Sequence, residues 1–142
     1  MSRKEIKQSI LKHEGKVNKI YKDHLGYATF GVGHLVLSTD DLEEGKEYSD
    51  EVVMEYFDKD FDIACNEANK FIPEENIDPN AFGIVIEMCF QLGLPRLKGF
   101  KKFHYHLNKC DYSSASEEML DSRWAKQTPN RANELAERMK NI

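Results

Sequence analysis

The pattern of apolar positions changes period several times along the chain. Ile6, Ile10 and Leu11 recur at helical spacing, and Ser2-Arg3-Lys4-Glu5 has the Ser-to-Glu spacing of a capping box. Gly15 is placed to close that helix in the left-handed conformation, so a helix is predicted over 3–14. The period then shortens. Ile20-Tyr21-Lys22-Asp23, a His24-Leu25-Gly26 turn and Tyr27-Ala28-Thr29-Phe30-Gly31 have the aromatic and β-branched content of a short hairpin. Leu35-Val36-Leu37 reads as a short strand or a turn of helix, and residues 38–46 as a polar, acidic loop.

Helical spacing returns after Ser49, an N-cap followed by Asp50 and Glu51 at the positive end of the helix. Val53, Phe57, Ala64, Ala68 and Phe71 form its stripe, giving a helix of roughly twenty residues, about 30 Å long. Asp78-Pro79 starts the next helix by cap and first-turn proline. The apolar run 81–92 predicts a central buried helix, stopped by Gly93 with Pro95 beyond it. Phe100, Phe103 and Leu107 mark another helix, residues 111–120 a short one. Thr128-Pro129 starts the last by the same cap logic, with Leu135 and Met139 inward. Glu87 interrupts the apolar run; a buried functional carboxylate is one reading, but turning to the helix surface or joining a polar network is preferred, and it is not placed in the site. No internal repeat or linker is visible.

At 142 residues the chain is long enough for one domain with its own core, and 40% hydrophobic content supplies the material for it. No apolar run reaches membrane-spanning length, and the N-terminus lacks the apolar segment of a signal peptide, so none is expected. Three widely spaced cysteines, Cys65, Cys89 and Cys110, argue for reduced thiols rather than a disulfide framework. A net charge of −5 gives no long-range attraction to anionic polymers. Arg96-x-Lys98-x-x-Lys101-Lys102 is either a local site for such polymers or the solvated face of a loop and helix start.

The candidate chemistry lies between residues 13 and 35. Glu14 falls on the last turn of the first helix, where the dipole disfavours a negative charge and eases protonation. Asp23 and Thr29 fall on the hairpin. Two carboxyls on independent elements suit glycoside hydrolysis, in which one protonates the leaving oxygen and the other acts from the opposite face of the sugar. The plain alternative is a surface glutamate at a helix end and an aspartate capping a turn. His34 has no accompanying ligand pattern, so no metal is expected.

Glu14-Gly15, Ile20-Tyr21-Lys22-Asp23, Gly26-Tyr27 and Thr29-x-Gly31-x-Gly33-His34-Leu35 closely resemble the catalytic stretch of the T-even-phage type lysozymes, glycoside hydrolase family 24. Phe90-Gln91-x-Gly93 and Ser122-Arg123-Trp124-x-x-Gln127-Thr128-Pro129-Asn130-Arg131-Ala132 resemble two further motifs of that family, in the same order. The resemblance implies an α+β, mainly α, two-lobed lysozyme-like fold spanning 1–142 as a single domain. Its hairpin lobe would cover about 16–48 and its linking helix about 50–71. The helical lobe would take about 78–142 together with the N-terminal helix 3–14, with a cleft between the lobes.

The resemblance also implies a catalytic triad of Glu14, Asp23 and Thr29, and hydrolysis with inversion of the β-1,4 bond between N-acetylmuramic acid and N-acetylglucosamine. Leu35 and Phe90 would contact substrate. Arg131 would approach Glu14, His34 would pair with Asp60, and Trp124 would bond to Gln91. The family's Ser and Asn substrate contacts fall on Phe103 and Glu118, which puts the far subsites in doubt. No cofactor or metal is expected. The expected partner is the peptidoglycan glycan strand, with no nucleic acid and no stable membrane association. The expected biology is a monomeric phage endolysin, made in the host cytoplasm and released to the wall by a separate holin. A bacteriocin-type or prophage toxin domain and a non-catalytic peptidoglycan-binding module are the alternatives.

Overall fold

The computed structural model describes all 142 residues, as eight helices and one small sheet. The chain divides into two compact units, Lys7–Ile63 and Met1–Ile6 with Ala64–Ile142. The first helix, α1 (Arg3–Glu14), and the second, α2 (Asp50–Phe71), each contribute to both. The fold is α+β and mainly α.

Local rules explain where α1 begins and ends. Glu5 N donates to Ser2 Oγ at 3.2 Å and Ser2 N donates to Glu5 Oε1 at 3.1 Å, the reciprocal pair of a capping box. At the other end Gly15 takes φ +73° and its amide reaches Leu11 O at 2.9 Å.

In the unit Lys7–Ile63, β1 (Val17–Lys22), β2 (Ala28–Gly31) and β3 (His34–Leu35) form an antiparallel sheet in that order. Tyr21 pairs with Thr29, and Thr29 with Leu35. Phe30 pairs with Ile20 and His34, so these alternate to the other face. Phe30 is fully buried, with the rings of Tyr48 and Tyr56 edge-on at 5.5 and 5.4 Å. Of Leu35-Val36-Leu37 only Leu35 is strand, at the end of β3; Val36 N still reaches Ala28 O at 3.0 Å, and no helical turn forms there.

In the unit Met1–Ile6 with Ala64–Ile142, α3 (Pro79–Leu92) is buried along almost its whole length, capped by Asp78, whose Oδ1 accepts from Asn80 N at 2.8 Å. Glu87 lies inside this helix with no solvent exposure; Arg138 Nη1 meets its Oε2 at 2.8 Å. Burial pushes the Cys89 thiol up to about 12, with the neighbouring Glu67 and Cys65 adding to it, as suits a core residue rather than a nucleophile. Then come α4 (Leu94–Leu97), α5 (Lys101–Asn108), α6 (Tyr112–Leu120), α7 (Arg123–Gln127) and α8 (Pro129–Lys140).

The expected stop is present: α3 ends at Leu92 with Gly93, at φ +78°, as its C-cap. Pro95 beyond it opens a further short helix, α4, in whose first turn its missing amide costs nothing. One expectation needs correction. Thr128 precedes α8 but makes no side-chain cap, because its hydroxyl donates backward to Trp124 O at 3.0 Å.

Candidate active site

Glu14, Asp23, Thr29, Leu35, His34 and Asp60 all fall in the unit Lys7–Ile63; Phe90, Gln91, Trp124 and Arg131 fall in the other. Glu14 is the final residue of α1, and its carboxylate lies against the backbone of Gly33. Asp23 sits where β1 turns into β2. Its Oδ1 accepts from Leu25 N and Tyr27 N, both at 2.9 Å, and its own amide reaches Tyr27 O at 3.0 Å. Gly26, at φ +88°, makes this tight turn possible. The turn therefore fixes the carboxyl through one oxygen and leaves Oδ2 out of those bonds.

Thr29 is buried on β2, and its Oγ1 donates to Tyr27 O at 3.0 Å. A carbonyl can only accept, so the threonine proton is committed to the backbone and the hydroxyl oxygen faces its surroundings as an acceptor. Strand register places Tyr21 opposite Thr29 and two residues before Asp23. Burial raises the Tyr21 phenol above its ordinary value, and the charges of Glu14 and then Asp23 raise it further. Tyr21 thus feels the charge of both carboxyls, a role its place in the Ile20-Tyr21-Lys22-Asp23 motif does not reveal; the period-two spacing to Asp23 is the signal for it in the sequence.

His34 is held on both sides. Its Nδ1 meets Asp60 Oδ2 at 2.7 Å and its Nε2 meets Asp40 Oδ2 at 2.8 Å. A neutral imidazole can donate from one nitrogen only, so two carboxylates call for the charged ring. The Asp60 hydrogen bond is the largest influence raising the His34 pKa; burial opposes it, and Asp40 adds to the rise. Asp40 also accepts from Leu37 N at 2.8 Å, which ties the loop after β3 to the ring.

In the second unit, Trp124 Nε1 donates to Gln91 Oε1 at 2.8 Å. Arg131 is buried in the first turn of α8, and Phe90 is half-buried near the end of α3. Arg96, Lys101 and Lys102 share the lining of a cavity of about 720 Å³ with Phe103, Glu118 and Trp124. With Arg123 these cations line a concave surface that also carries two carboxylates, Glu118 and Asp121, and aromatic rings. Leu35, by contrast, is 54% exposed on the sheet.

Residues 11–141 match the phage lysozyme family. The chain is 28% identical to probable T4-type lysozyme 1 of Dictyostelium discoideum, over 92% of this chain and 90% of that protein. Probable T4-type lysozyme 2 of the same organism is 26% identical over the same shares. A peptidoglycan hydrolase of Pseudomonas phage phiKMV is 28% identical over 96% of this chain, which corresponds to 15% of that longer protein.

Proposed function

Because the chain belongs to the phage lysozyme family, we propose that it hydrolyses peptidoglycan, cutting the β-1,4 bond between N-acetylmuramic acid and N-acetylglucosamine with inversion. One domain, 1–142, performs the reaction. Glu14 is the general acid, Asp23 the general base, and Thr29 orients the attacking water. Leu35 and Phe90 contact the sugars. The observation that carries this reading is the hydrogen bonding of Asp23 and Thr29. With Oδ1 occupied by two turn amides and the Thr29 proton given to Tyr27 O, Asp23 Oδ2 and Thr29 Oγ1 are both acceptors. A water donating one proton to each aims a lone pair outward, as a nucleophile must.

The chemistry balances without a covalent intermediate. Water oxygen bonds to the anomeric carbon as the glycosidic bond breaks. Asp23 takes the water proton, and the Glu14 proton goes to the departing oxygen. Transfer of a proton from Asp23 back to Glu14 through solvent restores both groups. The setting we assign is host-cell lysis by a monomeric endolysin that a holin releases from the cytoplasm to the wall.

The test is digestion of purified peptidoglycan, read by mass spectrometry of the fragments. Wild type should release fragments with muramic acid at the reducing end, and Glu14→Gln should release none while melting no lower than wild type. Glucosamine at the reducing end, or turnover by Glu14→Gln, overturns the reading.

A further inference from the structure

We infer that Gly33 is a positioning residue for the hydrolysis: its bare α-carbon is the seat against which the Glu14 carboxylate is held. The inference rests on the reading of Glu14 as general acid and adds what fixes that acid in place. A methyl group at residue 33 would stand 2.5 Å from Glu14 Oε2 and 3.2 Å from Cδ, inside van der Waals contact for both. The residue is also at φ +67°, where side chains are disfavoured. Two independent features therefore exclude a side chain here, and only one of them involves the carboxylate.

The structure separates the two. Gly45, at φ +84° in the same unit, has open space where its methyl would go. Gly31, at φ +63°, would meet Val53 Cγ1 at 3.0 Å and no carboxyl group. Gly33 alone among these three borders a proposed reacting group. The atom met first there is the tip of a flexible side chain, which swings aside at small cost to the fold. Catalysis is less forgiving, since a proton donor must lie within hydrogen-bond reach of the leaving oxygen, and an ångström of displacement reduces rate about 100-fold.

Gly33→Ala and Gly45→Ala test this against wild type, with glutamate labelled at the carboxyl carbon and the Glu14 signal assigned by its disappearance in Glu14→Gln. Both variants carry a methyl at positive φ, and both should melt slightly lower than wild type. In Gly33→Ala the Glu14 carboxyl signal should move and kcat fall about 100-fold, with KM changed far less. In Gly45→Ala the signal and kcat should stay at wild-type values. An unmoved signal in Gly33→Ala, or a kcat equal to that of Gly45→Ala, overturns the proposal. If Gly33→Ala is too unstable to assay, adding Glu14→Ala should raise its melting point, because it removes the atoms the methyl meets and leaves only the backbone strain; a double variant that melts no higher than Gly33→Ala also overturns the proposal. Activity of Glu14→Gln separately reports whether Glu14 is the acid at all, so the two readings fail by different results.

Discussion

His34 Nε2 lies 2.8 Å from Asp40 Oδ2, on the side of the ring opposite Asp60. Asp40 and His34 stand at the two ends of the connection that leaves β3, and the Leu37 amide shares the same carboxylate oxygen. The charged ring therefore fastens three things at once: the strand, the loop after it and α2 through Asp60. Tyr56 lies beside the ring at 4.9 Å, and Lys59 adds a positive charge near Asp40.

This arrangement predicts a window of stability. The His34 pKa is raised, so its contribution is complete below the unfolded value, about 6.5, and disappears as pH rises through the folded value. Burial pushes Asp40 upward, but the Leu37 amide and His34 outweigh it and hold the group below its ordinary value. Its contribution is present above the unfolded value, about 3.9, and lost as pH falls through the folded one. The clamp should help most between about pH 4 and 6.5. His34→Asn should lose more stability at pH 6 than at pH 9 by urea denaturation. Asp40→Asn should cost roughly 1.5–3 kcal/mol at pH 6. Equal losses for His34→Asn at both pH values would show that the ring is not charged in the fold.

Thr29 offers a sharper chemical test because its role rests on one oxygen. Thr29→Val keeps the shape of the buried side chain and removes the acceptor. It should lower kcat by about 10²–10³, within the range of a lost acid–base partner. Thr29→Ser keeps the hydroxyl and should stay within about tenfold of wild type. Steady-state kinetics on soluble glycan fragments separates the two. Equal activity of the Val and Ser variants would remove the hydroxyl from the reaction.

Glu87 and Arg138 make a prediction about stability alone. Glu87 has no exposure, and Arg138 reaches it at 2.8 Å from α8. Removing only the cation leaves a buried carboxylate, so Arg138→Met should cost roughly 3 kcal/mol in chemical denaturation. Adding Glu87→Met should recover most of that loss, because an apolar pair needs no desolvated charge. A double variant no more stable than Arg138→Met would contradict this.

Much of this fold follows from local rules that a sequence displays directly. The Ser2–Glu5 capping box, the Gly15 closure of α1 and the Asp78-Pro79 start of α3 depend on residues within a few positions of one another. So does the placement of Glu14 at a helix end and Asp23 in the hairpin turn. What stayed hidden involves choices between partners. The acidic loop displays several carboxyls, and nothing in its pattern singles out Asp40 as the one that turns back to His34. Thr128 has the residue type of a cap, yet its hydroxyl is taken by the carbonyl of Trp124. Gly93 and Pro95 mark the end of α3 in the sequence, but nothing in their pattern shows that Pro95 also opens α4. The commitment of the Thr29 proton is likewise decided by where the Tyr27 carbonyl points, which only coordinates reveal.

In the proposed reaction Asp23 and Thr29 direct a water onto the anomeric carbon while Glu14 protonates the leaving oxygen. Proton NMR of the first product, recorded before mutarotation, distinguishes this route from its alternative. The bond cut is β, so direct attack by water must release the reducing muramic acid as its α-anomer. Initial release of the β-anomer would mean net retention, and the assignment of Asp23 and Thr29 as water-positioning groups would have to be abandoned.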